Sequence, residues 1–324
     1  MTIRVSVVVP TCDRSALLNR CLQALVTQEF DPTEYEIVIA DDAASAATRQ
    51  LVEDWASRTD RLPVLRYIPV TGSHGPAAAR NIGWRSAVGE IIAFTDDDCI
   101  PQSEWLRQGM AAFKPGITGV SGQLKIPLPP DPTDYERNAA ELEKAEFATA
   151  NCFYRRDAIA KINGFDERFT APWREDSDLF FTLLKQGGCF VSAPDAIVVH
   201  PIRPAPWGVS LLQQPKSYFN ALLYKKHPVL YREKLPPVTP WHYYGIVGAL
   251  LLAIAAAAMG HEWGAIAALL GWVILTIQFC LQRLQHTSHS LNHVVEMALT
   301  SILIPPVSLF WRVAGAIRFR VFFL

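Results

Sequence analysis

The sequence predicts an α/β fold followed by a helical membrane region. Strand-like apolar runs alternate with amphipathic segments over roughly the first 200 residues. Acidic residues collect directly after those runs. Two long charge-free stretches then appear after Pro201.

Ile3–Val9 is a continuous β-branched run, the pattern of a strand buried on both faces. The opening residues therefore read as a strand rather than a secretory leader. Ser15 to Thr27 reads as a helix, with Leu17, Leu18, Cys21, Leu22 and Leu25 on one face. Tyr35–Ala40 is a second strand, Ala47–Ser57 a helix and Val64–Ile68 a third strand. A helix follows within Gly75–Ala87, then a fourth strand at Ile91–Thr95. This rhythm predicts βαβ units and a parallel sheet, with ligands at the C-terminal strand ends. Residues 125–134 are proline-rich and read as a loop. Tyr135–Ala148 looks helical, Asn151–Tyr154 reads as an edge strand, and Asp176–Gln186 as a helix closed by Gly187-Gly188.

Residues 215–234 carry Lys216, Lys225, Lys226, Arg232 and Lys234 against Glu233, interleaved with aromatic and leucine side chains. That pattern suits a segment lying on anionic lipid; the plainer alternative is a solvated surface helix. Tyr243–Gly260 and Trp263–Leu281 carry no charge, and only His261 and Glu262 separate them. Each is long enough to cross a bilayer, so the pair predicts a membrane hairpin. Basic residues on both flanks place its ends in the cytoplasm. Residues 294–311 are also apolar but contain Glu296 and Pro305-Pro306, which should break a helix. A crossing there would put Arg312, Arg318 and Arg320 outside, against the charge rule, so a surface-lying or re-entrant helix is expected.

Lys plus Arg number 30 and Asp plus Glu 31, a net charge of −1, which argues against a nucleic-acid partner. Six cysteines (Cys12, Cys21, Cys99, Cys152, Cys189 and Cys280) show no zinc-type spacing and read as reduced, cytosol-facing thiols.

Four strand-end sites carry the chemistry. Pro10-Thr11-Cys12-Asp13-Arg14 follows the first strand and can bond a base or diphosphate, or simply turn. Asp41-Asp42 follows the second strand and suits a nucleoside contact or a helix cap. Asp96-Asp97-Asp98 follows the fourth strand. Burying three adjacent carboxylates costs several kcal/mol unless a cation is present. Hard divalent ions prefer such oxygens. Trp173-Arg174-Glu175-Asp176 precedes a helix, where an acid serves as general base or as cap.

Together these segments resemble the family 2 glycosyltransferases, inverting enzymes of the GT-A fold, over roughly residues 3–203. VSVVVPTCDR is similar to the family's opening strand and nucleotide loop, IADD to its base-binding acid, and GPAAARNIG to its donor-facing helix start. FTDDDC is similar to its DxD metal motif, INGFDERF to its acceptor-side segment, and REDSDL to its ED motif. The resemblance implies Asp176 as catalytic base. It implies Asp96 and Asp98 as metal ligands, with His200 as a third ligand or a structural histidine. Pro10, Thr11, Asp13, Arg14, Asp42, Arg80, Asn81 and Asp97 would hold the nucleotide. Trp173, Arg174 and Glu175 would face the acceptor. The implied cofactor is Mn²⁺ or Mg²⁺, and the donor a UDP- or GDP-sugar.

The expectation is a GT-A α/β/α sandwich at residues 1–203, a basic and aromatic interfacial region at 204–240, and a membrane region at 241–324. The membrane region comprises the hairpin 243–281 and the apolar segment 294–311. The catalytic domain would face the cytoplasm at the inner membrane. It would transfer sugar to a glycan or lipid-linked acceptor without processivity. A processive polysaccharide synthase is the alternative, but the family's QxxRW motif is replaced by Leu212-Gln213-Gln214-Pro215-Lys216-Ser217. A nucleotidyltransferase would carry a glycine-rich phosphate loop, and PTCDR has no glycine. An inactive membrane scaffold would have lost the acids.

Overall fold

The computed structural model describes residues 2–58, 63–235 and 240–323. Residues 236–239 of the expected interfacial region, and the terminal residues 1 and 324 of the expected outer domains, lie outside these. In chain order the strands and α-helices are β1 (Val5–Thr11), α1 (Ser15–Val26), β2 (Tyr35–Asp41), α2 (Ala46–Ala56), β3 (Val64–Pro69), α3 (Pro76–Ser86), β4 (Ile91–Phe94), β5 (Ile100–Pro101) and α4 (Trp105–Ala111). There follow β6 (Ile117–Lys125), α5 (Asp134–Ala140), β7 (Cys152–Arg155), α6 (Arg156–Lys161), α7 (Glu175–Lys185) and β8 (Cys189–Val199). The remainder is helical: α8 (Val209–Leu212), α9 (Tyr218–Lys226), α10 (Pro228–Lys234), α11 (Trp241–Ala258), α12 (Glu262–Leu284) and α13 (Leu291–Phe319). Two compact units result, one of Met1–Pro127 with Ala140–Ile202, the other of Leu128–Ala139 with Arg203–Leu324.

The first unit holds a sheet of order β3-β2-β1-β4-β7-β6-β8-β5 among the described residues. Strands β3, β2, β1 and β4 are parallel, as the alternation predicts. The rest is mixed: β7 pairs antiparallel with both β4 and β6. The expected edge strand at 151–154 is therefore an interior strand, and Cys152, Phe153 and Tyr154 are fully buried. Strand β1 is mostly apolar because both its faces are covered, and its polar residues Ser6 and Thr11 are buried as well. Val5, Val7 and Val9 pack with Leu18, Leu22 and Leu25 of α1, Val52 of α2 and Trp105 of α4. On the other face Ala40 and Val70 meet Ala79 of α3, with Ile82 against them. Strand β1 pairs with β2 on one side and β4 on the other. That reversal of order opens a crevice beyond the strand C-termini. The expected helix at 135–148 is shorter: α5 ends at Ala140, and one 3₁₀ turn follows at Glu141–Lys144.

In the second unit α11 and α12 form a hairpin, and both are long and apolar enough to cross a membrane. Leu251, Leu252, Ile254, Leu270, Ile274 and Ile277 are exposed along it. Helix α13 also meets that length and composition. It runs unbroken through Pro305 and Pro306, contrary to the expected break. Adjacent prolines remove two backbone hydrogen bonds, and packing offsets the loss: Ser301, Ile304, Pro305 and Ser308 are all buried. Glu296, the charge inside this stretch, accepts the Gly208 N–H at 2.7 Å. Ile304 packs with Ile246 near the start of α11 and Phe279 near the end of α12. Asp134 and Arg283 form a buried ion pair at 2.8 Å, and Arg283 also donates to Thr300 and Ser301. At the far end Lys225 Nζ donates to the Phe319 carbonyl at 2.8 Å. A Cβ on Gly315 would stand 2.4 Å from the Tyr218 carbonyl oxygen, so only glycine permits that approach to α9. Thus α13 stays beside the segments that precede and close the hairpin.

Candidate active site

The acids converge at the C-terminal ends of β1, β2 and β4 and the start of α7, all within the first unit. Asp97 is fixed from the β1 loop: Thr11 Oγ1 donates to Oδ2 at 2.8 Å and Arg14 Nη1 to Oδ1 at 3.4 Å. Burial pushes the Asp97 carboxyl up to about 6, against the pull of Thr11 and Arg14. Pro10 is the penultimate residue of β1. Asp13 is exposed in the loop, with φ of 51°.

The Asp41-Asp42 pair divides the two roles that its position allows. Asp41 is fully buried and accepts the Ala43 and Ser45 N–H groups and the Tyr67 hydroxyl, so it shapes the turn into α2. Asp42 reaches across to α3 and accepts the Gly75 N–H on both oxygens, at 3.1 and 3.0 Å. His74 Nδ1 lies 3.1 Å from Asp42 Oδ1. No spacing in the sequence announced His74.

Arg80 is the central tie. It is 4% exposed. Its Nη2 donates to Asp96 and its Nη1 to Glu175, each at 2.8 Å. Burial works against the Arg80 charge, and the two acids overcome it. Burial also pushes the Glu175 carboxyl up to about 7, against the pull of Arg80. Arg80 was expected to face the donor and Glu175 the acceptor. Both side chains are instead buried and paired with each other, because a buried charge needs a partner.

Asn81 is also corrected. It is 1% exposed and every hydrogen-bonding position of its amide is taken. Nδ2 donates to the Phe165 carbonyl and to Glu167, while Oδ1 accepts from the Phe165 N–H and the Trp84 indole. It clamps the 162–169 segment onto α3 rather than facing a ligand. Gly164, at φ of 80°, makes the clamp possible, since a Cβ there would stand 2.3 Å from Asn81 Oδ1.

Asp176 is the second residue of α7, and Arg174, directly before the helix, has a left-handed φ of 78°. The helix is set by aromatic packing: Phe180 stacks on Phe147 at 4.3 Å and meets Phe190 edge-on at 5.0 Å. Asp176 Oδ1 accepts the Ser177 N–H at 2.6 Å, and among the described residues Oδ2 accepts no hydrogen bond. Burial pushes the Cys152 thiol up, and the charges of Asp176 and Asp96 add to this against that of Arg80. Trp173 is 37% exposed, and Arg174 lies over its ring at 4.7 Å.

His200 follows β8, with Nε2 3.5 Å from Asp98 Oδ1. Asp98, Cys99 and His200 each offer a ligand atom within 4.8 Å of the others. Cys99 has no zinc-type spacing in the sequence to mark it, and its place directly after the three acids is the signal for it. A carboxylate and an imidazole beside two further acids suit a divalent cation. Asp97 and Asp98 are buried, with His200 beside Asp98, and this donor set of oxygens and one imidazole is the physical fit to such an ion.

Residues 6–158 match the family described as Glycosyl transferase family 2. Glycosyltransferase AglE of Haloferax volcanii is 27% identical over 212 residues, 62% of this chain and 67% of AglE. The poly(ribitol-phosphate) β-N-acetylglucosaminyltransferase TarS of Staphylococcus aureus is 34% identical over 106 residues, which is 33% of this chain and only 18% of TarS. Among solved structures, the mannosyltransferase PcManGT from Pyrobaculum calidifontis, in complex with GDP-Man and Mn²⁺, superposes with a TM-score of 0.58 at 19% identity, over 99% of this chain and 88% of that one. TarS 1–349 in complex with UDP-GlcNAc gives 0.51 at 16%, over 96% and 92%. At such identities the likeness is one of fold, and the fold is GT-A. Over residues 6–158, just under half of its length, the chain matches the family 2 glycosyltransferases, and the strand-end motifs after β1, β2 and β4 lie inside that segment.

Proposed function

We propose that the chain is a membrane-associated, inverting glycosyltransferase that passes a sugar from a nucleotide-diphosphate donor to a glycan or lipid-linked acceptor, one residue at a time. The Arg80 tie carries this reading: it joins Asp96, in the acid run that also holds Asp98, to Glu175, the neighbour of Asp176 at the start of α7. Asp176 acts as general base. Its Oδ1 is held by Ser177, leaving Oδ2 to take the acceptor hydroxyl's proton as the oxygen attacks. Asp42, Thr11 and Arg14 line the nucleotide side. Asp97 is held against Thr11, so that loop and the acid motif move as one piece. Asp96, Asp98 and His200 would hold a divalent cation. That ion, Mn²⁺ or Mg²⁺, would offset charge on the departing diphosphate. The related PcManGT, bound to GDP-Man and Mn²⁺, and TarS, bound to UDP-GlcNAc, support a donor of this class.

The hairpin α11–α12 supports anchoring, with its apolar side chains directed outward. Helix α13 is proposed to lie along the membrane surface. Leu291, Val295, Leu299, Leu303, Phe310, Val313 and Ile317 are exposed at helical spacing, while the opposite face is buried in its own unit. The Lys225 contact to Phe319 keeps its C-terminal end on the side of the hairpin's basic flank. A catalytic domain facing the cytoplasm follows from the positive flanks.

Thermal-shift measurement of the full chain with UDP- and GDP-sugars tests the donor class. One donor at about 100 times its Kd, with Mn²⁺, should stabilise the folded chain by about 2.7 kcal/mol. No stabilisation by any nucleotide-sugar, with or without a divalent ion, would defeat the reading.

A further inference from the structure

We propose that Cys99 makes the cation site selective for thiophilic ions, so that Zn²⁺ binds through Asp98, Cys99 and His200 and competes with the harder ion that supports transfer. This rests on the cation reading above. Asp98 Oδ1 and His200 Nε2 stand 3.5 Å apart. The Cys99 sulfur lies within 4.8 Å of both. Around a tetrahedral zinc ion, with Zn–S about 2.3 Å and Zn–N and Zn–O about 2.0 Å, ligand atoms stand about 3.3–3.8 Å apart. The carboxylate and imidazole already have that separation, and the Cys99 sulfur, within 4.8 Å of both, would supply the third corner.

The three side chains are supplied by rigid elements. Asp98 and Cys99 sit in the turn after β4, where the Cys99 N–H donates to the Asp96 carbonyl at 3.1 Å. The His200 N–H donates to the Lys125 carbonyl at 2.9 Å at the end of β8. Cys99 is 1% exposed, so its sulfur has little access to solvent, and it stands in the ligand group with Asp98 and His200. The neighbouring thiol, Cys21, donates instead to the Asp96 carbonyl at 3.5 Å and stands outside the ligand group.

The chemistry of the set decides the preference. Oxygen ligands alone suit Mg²⁺ and Mn²⁺, whereas one thiolate with one imidazole suits Zn²⁺. When the ion binds it takes the place of the thiol proton, which leaves with water displaced from the ion, and the thiolate becomes the ligand. The ion then has three protein ligands and one open position, the pattern of a site still able to take an outside oxygen.

The test uses the full chain in detergent with Co²⁺ as the probe for Zn²⁺. The wild type should show a near-ultraviolet thiolate-to-cobalt charge-transfer band that Zn²⁺ abolishes. Cys99→Ala and Cys99→Ser should both lose the band, with at least tenfold of the preference for Zn²⁺ over Mn²⁺. Cys21→Ala should keep it. Co²⁺ binding without the band, or a band that survives in Cys99→Ala, would overturn the proposal. Mn²⁺-dependent stabilisation by the donor is read in the same wild-type samples. Its presence without the band defeats the role of Cys99 alone, and its absence defeats the cation reading beneath it.

Discussion

Asp176→Asn should lower sugar transfer by about 10³-fold while leaving donor affinity within a few-fold of wild type. The asparagine keeps the shape of the side chain. Its carbonyl oxygen can still accept the Ser177 N–H and hydroxyl that hold Asp176 Oδ1, so the start of α7 should persist. What is lost is the ability to take a proton, and that is the role assigned to the free Oδ2. Initial rates of product formation, measured beside donor titration calorimetry, separate the two effects. A normal turnover number would remove Asp176 from the chemistry. A parallel collapse of donor binding would place it in the binding site instead.

Arg80→Ala should have the largest effect on stability. It leaves Asp96 and Glu175 without the guanidinium that both accept at 2.8 Å. Breaking a buried pair by removing one partner costs about 3–5 kcal/mol, and here one cation serves two acids. For a domain of this size the expected loss is about 10 °C in Tm. Arg80→Lys should recover part of it. A single ammonium has no fork with which to reach two carboxylates on opposite sides. Thermal melts of the full chain in detergent check both variants. Unchanged melting for Arg80→Ala would mean that the two acids are held by something other than this tie.

Strands β1, β2 and β4 were legible because strands buried on both faces carry unbroken apolar runs. The first proved displaced by two residues, covering Val5–Thr11 rather than Ile3–Val9. Strands β6 and β8 left no such trace. Gly119 and Gly122 interrupt β6, Pro194 and Asp195 interrupt β8, and the ladder between them shifts register near Gly122. Strand β7 is four residues long, too short to show whether it lies inside or at an edge. Its place between β4 and β6 is a tertiary fact.

The site was legible to a different depth. Acids at strand ends can be found by position, so the placement of Asp42, Asp96 and Asp98 after strands, and of Asp176 in the first turn of a helix, was readable. What each acid touches was not. Asn81 and Glu175 looked like ligand contacts and proved to be buried ties, because their partners at 165–167 and at Arg80 are distant in sequence. Gly75 and His74 meet Asp42 across more than 30 residues, a contact that only the packing of α3 creates.

Donor binding by Asp98→Ala, measured by calorimetry with Mn²⁺ and again with EDTA, reaches the core of the account. For the wild type, Mn²⁺ should tighten binding of the nucleotide-sugar at least tenfold. For Asp98→Ala the two affinities should coincide, with the folded chain otherwise intact by melting. A variant that keeps the full Mn²⁺ effect would contradict the claim that these converging acids hold the cation beside the diphosphate.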